Sequence, residues 1–298
     1  MRLDWPIRAS WGCEWAQGER PQPLDGRLSE IGEVPQRRAN RLMQLAHLGS
    51  AGCVRQAGSR PPQGTGVVLG SRYGNLADTI RLSAGVLMEQ QPPMPFDFIN
   101  VSTNLAGFHA ARAVGAEHGP NLMVAHEQHA LVAALEIAAL EVERAWLVGV
   151  VEEGVWPLAE QSRRLRLEGC AMPAEATYWF WMDSCCKDPV GWLRALQRMP
   201  DRQALADACR QALADAPGPV AVASASDGAP AGLLPTSLRR RLTPWSAPAA
   251  GWHAASLGRV VERFLAAGAC PRLVVLEEDP VTGHYLVLII DRSGVPTA

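Results

Sequence analysis

Apolar and polar positions along the chain fall into blocks that predict an alternating order of strands and helices. Short apolar runs bounded by glycine, proline or charged residues predict buried strands. These runs are residues 64–71, 121–125, 144–153, 177–184, 218–226, 272–279 and 284–292. Between them, apolar residues recur every three or four positions, which predicts helices. These segments are residues 35–57, 75–90, 105–116, 129–142, 201–216 and 257–268. Strands without polar alternation between helices favour a layered α/β architecture with buried sheets.

Three segments lack such a pattern. The first 34 residues are rich in tryptophan and proline and receive no predicted element. Residues 187–201 are predicted as a linker, and residues 226–251 as a loop because proline and glycine interrupt them. We therefore expect two halves within one structural unit, an N-terminal half at residues 1–187 and a C-terminal half at residues 188–298.

Composition narrows the classes of function. The chain has 298 residues, of which 48% are hydrophobic, and a formal net charge of -2. It can bury a sizeable core, and it lacks the basic surplus that favours nucleic acid binding. No window approaches the roughly 18 uncharged apolar residues that a membrane span needs, and the N-terminus has no apolar signal core. We expect a cytoplasmic protein without a membrane span and without a nucleic acid partner.

The cysteines and the common sequence motifs do not indicate a metal or a cofactor. Seven cysteines occur without a C-x-x-C pair, which predicts reduced thiols. The adjacent Cys185 and Cys186 are expected to be small buried residues at the end of a strand. The sequence contains no G-x-x-x-x-G-K-[ST], H-E-x-x-H or G-x-S-x-G motif. No cofactor and no metal site are therefore expected.

Polar side chains concentrate at the junction between the strand at residues 121–125 and the following helix. They are His126, Glu127, Gln128 and His129. Backbone N–H groups and the helix dipole at such a point lower the pKa of a thiol, so many enzymes place a nucleophile there. On its own, Gln128 is equally well an ordinary N-terminal residue whose amide satisfies free N–H groups. We expect no catalytic role for His126 or His129.

The stretch around this junction resembles the nucleophile region of the β-ketoacyl synthases of the thiolase fold. Gly119 and Pro120 precede an apolar strand, the ninth residue after the glycine is Gln128, and an Ala- and Leu-rich helix follows. Residues 100–115 and 144–153 are similar to the flanking helix and strand of that family. The resemblance implies a thiolase-like layered αβαβα fold, compact and with a shortened C-terminal half.

The same resemblance implies which catalytic residues are missing. In that family a cysteine that accepts the acyl chain stands at the position of Gln128, and glutamine has no nucleophilic atom. The family also uses two histidines. The first would follow a strand of the C-terminal half, where Asp227 and Gly228 stand instead. The second falls at Trp252 or His253, so no catalytic residue is expected, and His253 is at most a remnant of the pair.

With a glutamine at this position, the compact chain resembles the chain length factors of type II polyketide systems, in particular those of aryl polyene pathways. The resemblance implies a catalytically inactive subunit that forms a heterodimer with an active β-ketoacyl synthase and meets an acyl carrier protein. One strand would pair antiparallel with its counterpart in the partner and wall off the end of the acyl tunnel. Its residues are Asn121, Leu122, Met123, Val124 and Ala125.

Two alternatives stay open. A glutamine-type ketosynthase would decarboxylate malonyl carrier protein to make a starter unit, which needs a histidine pair to stabilise the enolate. A scaffold homodimer would have no acyl role and would have a closed interior. Two basic spots, at Arg163, Arg164 and Arg166 and at residues 239–241, could meet an acidic carrier protein, although solvated charged loops are the simpler interpretation.

Overall fold

The computed structural model describes residues 2–16, 21–126, 129–164, 174–216, 218–224, 230–249, 253–279 and 282–294. The strands are β1 (Arg2–Ala16), β2 (Gly66–Ser71), β3 (Asn121–Ala125), β4 (Trp146–Glu152), β5 (Ala174–Met182), β6 (Gly191–Met199), β7 (Val220–Ala223), β8 (Leu242–Pro244), β9 (Arg272–Glu278) and β10 (Tyr285–Arg292). The helices are α1 (Asp25–Glu30), α2 (Arg41–Ala57), α3 (Leu76–Leu87), α4 (Pro95–Asn100), α5 (Asn104–Val114), α6 (Ala130–Ala138), α7 (Leu158–Arg164), α8 (Arg202–Ala214), α9 (Thr236–Arg239) and α10 (Ser256–Ala267).

The strands form a ten-stranded sheet in the order β3-β2-β4-β5-β1-β6-β10-β9-β7-β8. β2 pairs parallel with β3 and β4, and β5 runs antiparallel between β4 and β1. β7 pairs parallel with β8 and β9, and β10 runs antiparallel between β9 and β6. Counted inwards from each edge of the sheet, the second five strands, β8-β7-β9-β10-β6, thus repeat the order and directions of the first five, β3-β2-β4-β5-β1. The predicted boundary at residues 187 and 188 lies between β5 and β6.

The layers follow from where the apolar side chains meet. α6 and α10 share one buried cluster with side chains from both sets of five strands, so these two helices form the central layer. α2 and α5 pack with β2, β4 and β5 in a second cluster on the outer side of the first set. α8 and α9 pack in a third cluster on the second set. This is the expected layered α/β arrangement.

β1 occupies the middle of the sheet, although the sequence pattern assigned no element to the first 34 residues. Its first part pairs with β6 and its second part with β5, so it joins the two sets of strands. Trp5 and Ile7 are buried in the central cluster. The polar residues of β1 interrupt its apolar pattern, and the sequence does not show that they have partners inside the fold. Arg8, for example, lies 3.1 Å from Asp183.

A second prediction is wrong: residues 187–201 were expected to form a linker, and they contain the strand β6. Buried Leu193 and Leu196 pack into the central cluster. The charged positions between them are paired: Arg194 Nε donates to Asp291 at 2.8 Å, and Arg198 Nε donates to Glu136 at 2.9 Å. The predicted loop at residues 226–251 also differs from the structure, because it contains α9 and the edge strand β8.

Candidate functional site

The junction between β3 and α6 lies at the carboxyl end of β2. Gly119 allows the chain to approach β2 closely, because a Cβ at this position would lie 1.8 Å from the carbonyl oxygen of Thr65. After β3, the His126 N–H donates to the carbonyl oxygen of Ser71 at 3.1 Å. Glu127 and Gln128 lie outside the described residues, so the prediction for Gln128 stays a prediction about sequence.

Two histidines flank position 128 at the start of α6. The backbone N–H of His129 donates to Nδ1 of His126 at 3.1 Å, and the two rings stack with centroids 5.8 Å apart. Burial lowers the pKa of the His129 imidazole, and the carboxylate of Asp279 acts against that shift. His129 is therefore neutral near pH 7. The side chain of His126 caps the first turn of α6 by accepting a free backbone N–H.

Two adjacent buried carboxyl groups lie at the end of β4, beside this junction. Glu152 accepts the Arg72 N–H at 2.5 Å, and Glu153 accepts the Ala77 N–H at 3.1 Å. Burial raises the pKa of each to about 8. They hold the connection between β2 and α3 from both ends. The sequence signal was only a pair of acidic residues at a strand end, which gave no reason to expect burial.

His253 lies in a buried network between β1, β5 and α10. Its Nε2 contacts the Glu14 carboxylate, and the Tyr178 O–H donates to the same carboxylate oxygen at 2.8 Å. Arg259 Nη1 lies 3.7 Å from that oxygen. Burial lowers the pKa of His253, and Glu14 acts against that shift. These contacts tie His253 to β1 and β5, whereas His126 at the α6 junction bonds to β2. Trp252 lies outside the described residues.

The predicted partner strand β3 is an edge strand. In the described chain it pairs only with β2, in parallel register from Val67 and Asn121 to Ser71 and Ala125. Met123 packs towards the outer helices and Val124 towards the central layer. Leu122 is 39% exposed. The outer edge of β3 therefore presents backbone N–H and C=O groups beside apolar side chains.

The first basic spot is paired within α7 where it is described, and one member of the second is hydrogen-bonded to the backbone. Arg163 and Arg164 both donate to Glu160, with Nε–O distances of 2.9 and 2.8 Å. These bonds lower the pKa of Glu160 to about 2. Arg239 donates to the Leu234 carbonyl oxygen at 2.6 Å. Arg166 lies outside the described residues.

The expectation of a buried cysteine pair is wrong. β5 ends before the pair, and Cys186 closes a turn by donating its N–H to the Asp183 carbonyl oxygen at 3.0 Å. Cys185 is exposed and Cys186 partly exposed. Among the described residues, no three or more His, Cys, Asp or Glu side chains are grouped to hold a metal ion. Nor does any described helix combine the length and apolar character needed to cross a membrane.

Comparison with solved structures shows which proteins share this fold. No protein-family model and no curated protein matches the sequence. The ishigamide ketosynthase/chain length factor is 20% identical with a TM-score of 0.69, covering 90% of this chain and 85% of that chain. The PfaC ketosynthase–chain length factor is 11% identical with a TM-score of 0.68, covering 100% of this chain and 44% of that one.

A third solved structure is the AntDE:AntF complex, described as a type II PKS acyl-carrier protein in complex with its ketosynthase bound to the hexaketide. It is 11% identical with a TM-score of 0.63, and the match covers 98% of this chain and 100% of that chain. The chain therefore has the fold of the ketosynthase and chain length factor proteins. The resemblance expected from the sequence is confirmed at the level of the fold.

Proposed function

We propose that the chain is a catalytically inactive ketosynthase-like subunit of the chain length factor type. It pairs with an active β-ketoacyl synthase, meets an acyl carrier protein and shapes the acyl tunnel during cytoplasmic polyketide synthesis, more narrowly in an aryl polyene or related pathway. The fold shared with ketosynthase/chain length factor structures supports the general assignment. The sequence and the edge of the sheet support the finer parts.

The observation that carries the proposal is the free edge of β3. This strand has one neighbour in the described chain and a half-exposed apolar character, with Leu122 39% exposed. Natural proteins usually protect such edges with charge, proline or a covering element. Addition of a partner strand would satisfy the outer backbone groups and cover the apolar side chains.

The inactivity of the chain rests on its sequence. Gln128 offers no nucleophilic atom at the position of the family's cysteine, so covalent acyl loading is unavailable. Asp227 and Gly228 stand where the first histidine would be expected. We therefore expect the active partner to carry out every bond-forming step.

One cavity inside the described chain is lined by apolar side chains. The cavity between α6, β5 and β10 measures about 10 Å³ and is lined by apolar side chains such as Leu131, Phe180 and Leu288. A space of that size holds about one water molecule. An acyl chain would not fit in this cavity; in the proposed heterodimer it lies in a space that the partner helps to enclose, with β3 as one wall.

The contacts of His253 weigh against the decarboxylase alternative. A histidine that polarises a thioester must reach the substrate, whereas the His253 side chain is 0% exposed and contacts Glu14. We expect the isolated chain to release no carbon dioxide from malonyl carrier protein. Release that is lost in His253→Ala but retained in a variant of equal stability would favour the decarboxylase instead.

Co-expression with the ketosynthase encoded alongside the chain tests the proposal. We expect the two proteins to co-purify as a heterodimer and the complex to make a product of defined length that neither subunit makes alone. Bulky substitutions within Asn121–Ala125 that preserve the heterodimer should change product length. An isolated chain that elongates an acyl thioester by itself would overturn the proposal.

The site assignment has its own test. Gln128→Cys should restore acylation of this subunit by an acyl thioester, because the sequence resemblance places position 128 at a helix start, where the pKa of a thiol is lowered. Mass spectrometry of the intact chain reads the acyl adduct directly. Ser71→Cys, at the end of the neighbouring strand β2, is the matched control and should stay unmodified.

A further inference from the structure

Two adjacent cysteines lie in the connection between β5 and β6, which joins the two sets of strands. Cys185 is exposed and Cys186 is partly exposed. The other cysteines of the described chain are buried or have a thiol pKa raised by burial; they are Cys13, Cys53, Cys209 and Cys270. Susceptibility to oxidation follows exposure and thiolate character. A mild oxidant in solution therefore reaches this pair more readily than those thiols.

The pair is held in a turn that Asp183 organises. The Cys185 N–H donates to the Asp183 carboxylate at 3.0 Å, and the Cys186 N–H donates to the Asp183 carbonyl oxygen at 3.0 Å. The same carboxylate lies 3.1 Å from the Arg8 guanidinium on β1. The backbone around the two thiols therefore also positions the ion pair that joins this turn to β1.

A cleft gives small molecules access to the turn. It measures about 610 Å³, and its lining includes Asp183 and Cys185 together with Arg8, Gly64 and Arg144. Volumes of this size are typical of sites that take small molecules. A small disulfide such as glutathione disulfide can therefore approach the Cys185 sulfur from the cleft.

The two thiols differ in their readiness to react. Burial raises the pKa of the Cys186 thiol, and the Asp188 N–H and the Arg8 guanidinium act against that shift. Cys186 therefore holds its proton near pH 7, whereas attack on a disulfide needs a thiolate. Exchange begins at the exposed Cys185, and Cys186 acts second.

We propose that Cys185 and Cys186 form a reversible oxidation site for low-molecular-weight disulfides such as glutathione disulfide. The Cys185 thiolate attacks one sulfur of the disulfide, so that a mixed disulfide forms and one glutathione thiolate leaves. Cys186 then loses its proton and attacks the Cys185 sulfur. The Cys185–Cys186 bond forms as the bond to glutathione breaks. The protein has lost two protons and two electrons, and glutathione disulfide has become two molecules of glutathione.

The bond between neighbouring residues changes the turn without stabilising the fold. Consecutive Cα atoms are about 3.8 Å apart, whereas disulfides usually join Cα atoms about 4.4–6.8 Å apart. The Cys185–Cys186 bond is therefore strained and easily reduced, and it closes no long loop of chain. Its formation rebuilds the turn and breaks the two N–H hydrogen bonds to Asp183, which weakens the hold of Asp183 on Arg8.

Equilibration of the purified chain with glutathione disulfide, followed by alkylation and peptide mapping, tests the site. We expect both thiols to be protected within one peptide that has lost two hydrogens, and glutathione to restore both thiols. In Cys186→Ser the second step is blocked, so one glutathionyl group should stay on Cys185. Cys13→Ser, a control at a thiol outside the turn, should react like the parent chain.

Thermal melting tests the effect on the turn. The oxidised parent chain should melt at least about 2 °C below the reduced chain, because it has lost hydrogen bonds, and reduction should reverse the shift. The double variant Cys185→Ser and Cys186→Ser should melt at one temperature after both treatments. The inference is overturned if both thiols of the parent chain stay open to alkylation, if Cys186→Ser carries no glutathionyl group on Cys185, or if the oxidised and reduced parent chains melt alike.

Discussion

Single charged residues inside this protein are held by partners on neighbouring elements. Arg272 and Asp291 face each other across β9 and β10 and are joined by hydrogen bonds of 2.6 and 2.8 Å. Arg41 on α2 donates to Glu175 on β5 at 3.0 Å. Removing one member of such a buried pair leaves an uncompensated charge, which costs far more than an exposed pair contributes. These pairs therefore fix the positions of strands and helices that apolar packing alone would specify less sharply.

Glu14→Gln tests the network around His253. The variant keeps the shape of the side chain but removes the negative charge next to Arg259, both of them buried. We expect the free energy of unfolding to fall by about 3 kcal/mol, the usual cost of breaking a buried charge pair. Urea unfolding followed by circular dichroism measures it. Glu160→Gln, which removes the partner of two exposed arginines, is the control and should unfold at an unchanged midpoint.

Glu152 and Glu153 predict how stability depends on pH. Burial raises the pKa of each from its ordinary value of 4.5 to about 8. The folded state therefore holds protons that the unfolded state releases above pH 4.5, so stability is lost as pH rises from about 4.5 to about 8. Each group contributes a slope of up to about 1.4 kcal/mol per pH unit.

The double variant Glu152→Gln and Glu153→Gln should flatten that pH dependence, because an amide cannot release a proton. Urea midpoints are measured between pH 5 and pH 8 in the parent chain and the variant. Equal slopes in both proteins would show that the two carboxyl groups are ionised in the folded state and would contradict the assignment.

Elements with a strong local pattern were predictable, and elements defined by distant partners were not. Apolar composition located β3 at the bounds Asn121–Ala125 that the structure gives. β1 and β6 were not predicted, because their polar residues are typical of surface positions in the sequence. The structure shows that Asp183 and Asp291 pair with arginines of these strands. The same holds for the site. The edge strand was visible in the local sequence, whereas the burial of the acidic pair at the end of β4 arises from the packing of β2 and α3 around it.

Trp5→Ala tests the central place of β1. Trp5 is buried in the cluster shared by both sets of strands, so its loss leaves a large cavity where β1 passes from β5 to β6. We expect a loss of about 3 to 5 kcal/mol in the free energy of unfolding. Val34→Ala, at an exposed position before α2, should change it by less than about 0.5 kcal/mol. A tolerated Trp5→Ala would mean that the N-terminal strand does not unite the two sets.

The whole molecule has two sheet edges of unequal character. β8 is three residues long and ends in Pro244, both features that discourage the addition of another strand. β3 is five residues long and contains neither proline nor charge. The repeated topology would give both edges the same opportunity to pair, yet only the β3 edge has the length and composition that permit pairing. We therefore expect strand pairing at the β3 edge rather than at the β8 edge.

Leu122→Lys tests this asymmetry in the isolated chain. Without a partner, the β3 edge should drive reversible self-association at high concentration, because it offers unpaired backbone groups beside apolar surface. A lysine at this edge position should lower the average mass measured by light scattering towards that of the monomer without changing the thermal melting temperature. Leu140→Lys removes a more exposed apolar side chain away from the edge and should leave the average mass unchanged. If the two variants reduce association equally, general surface hydrophobicity rather than the β3 edge drives the association. If the parent chain is strictly monomeric at high concentration, the β3 edge is protected in some other way. It then cannot be the pairing surface proposed for the ketosynthase.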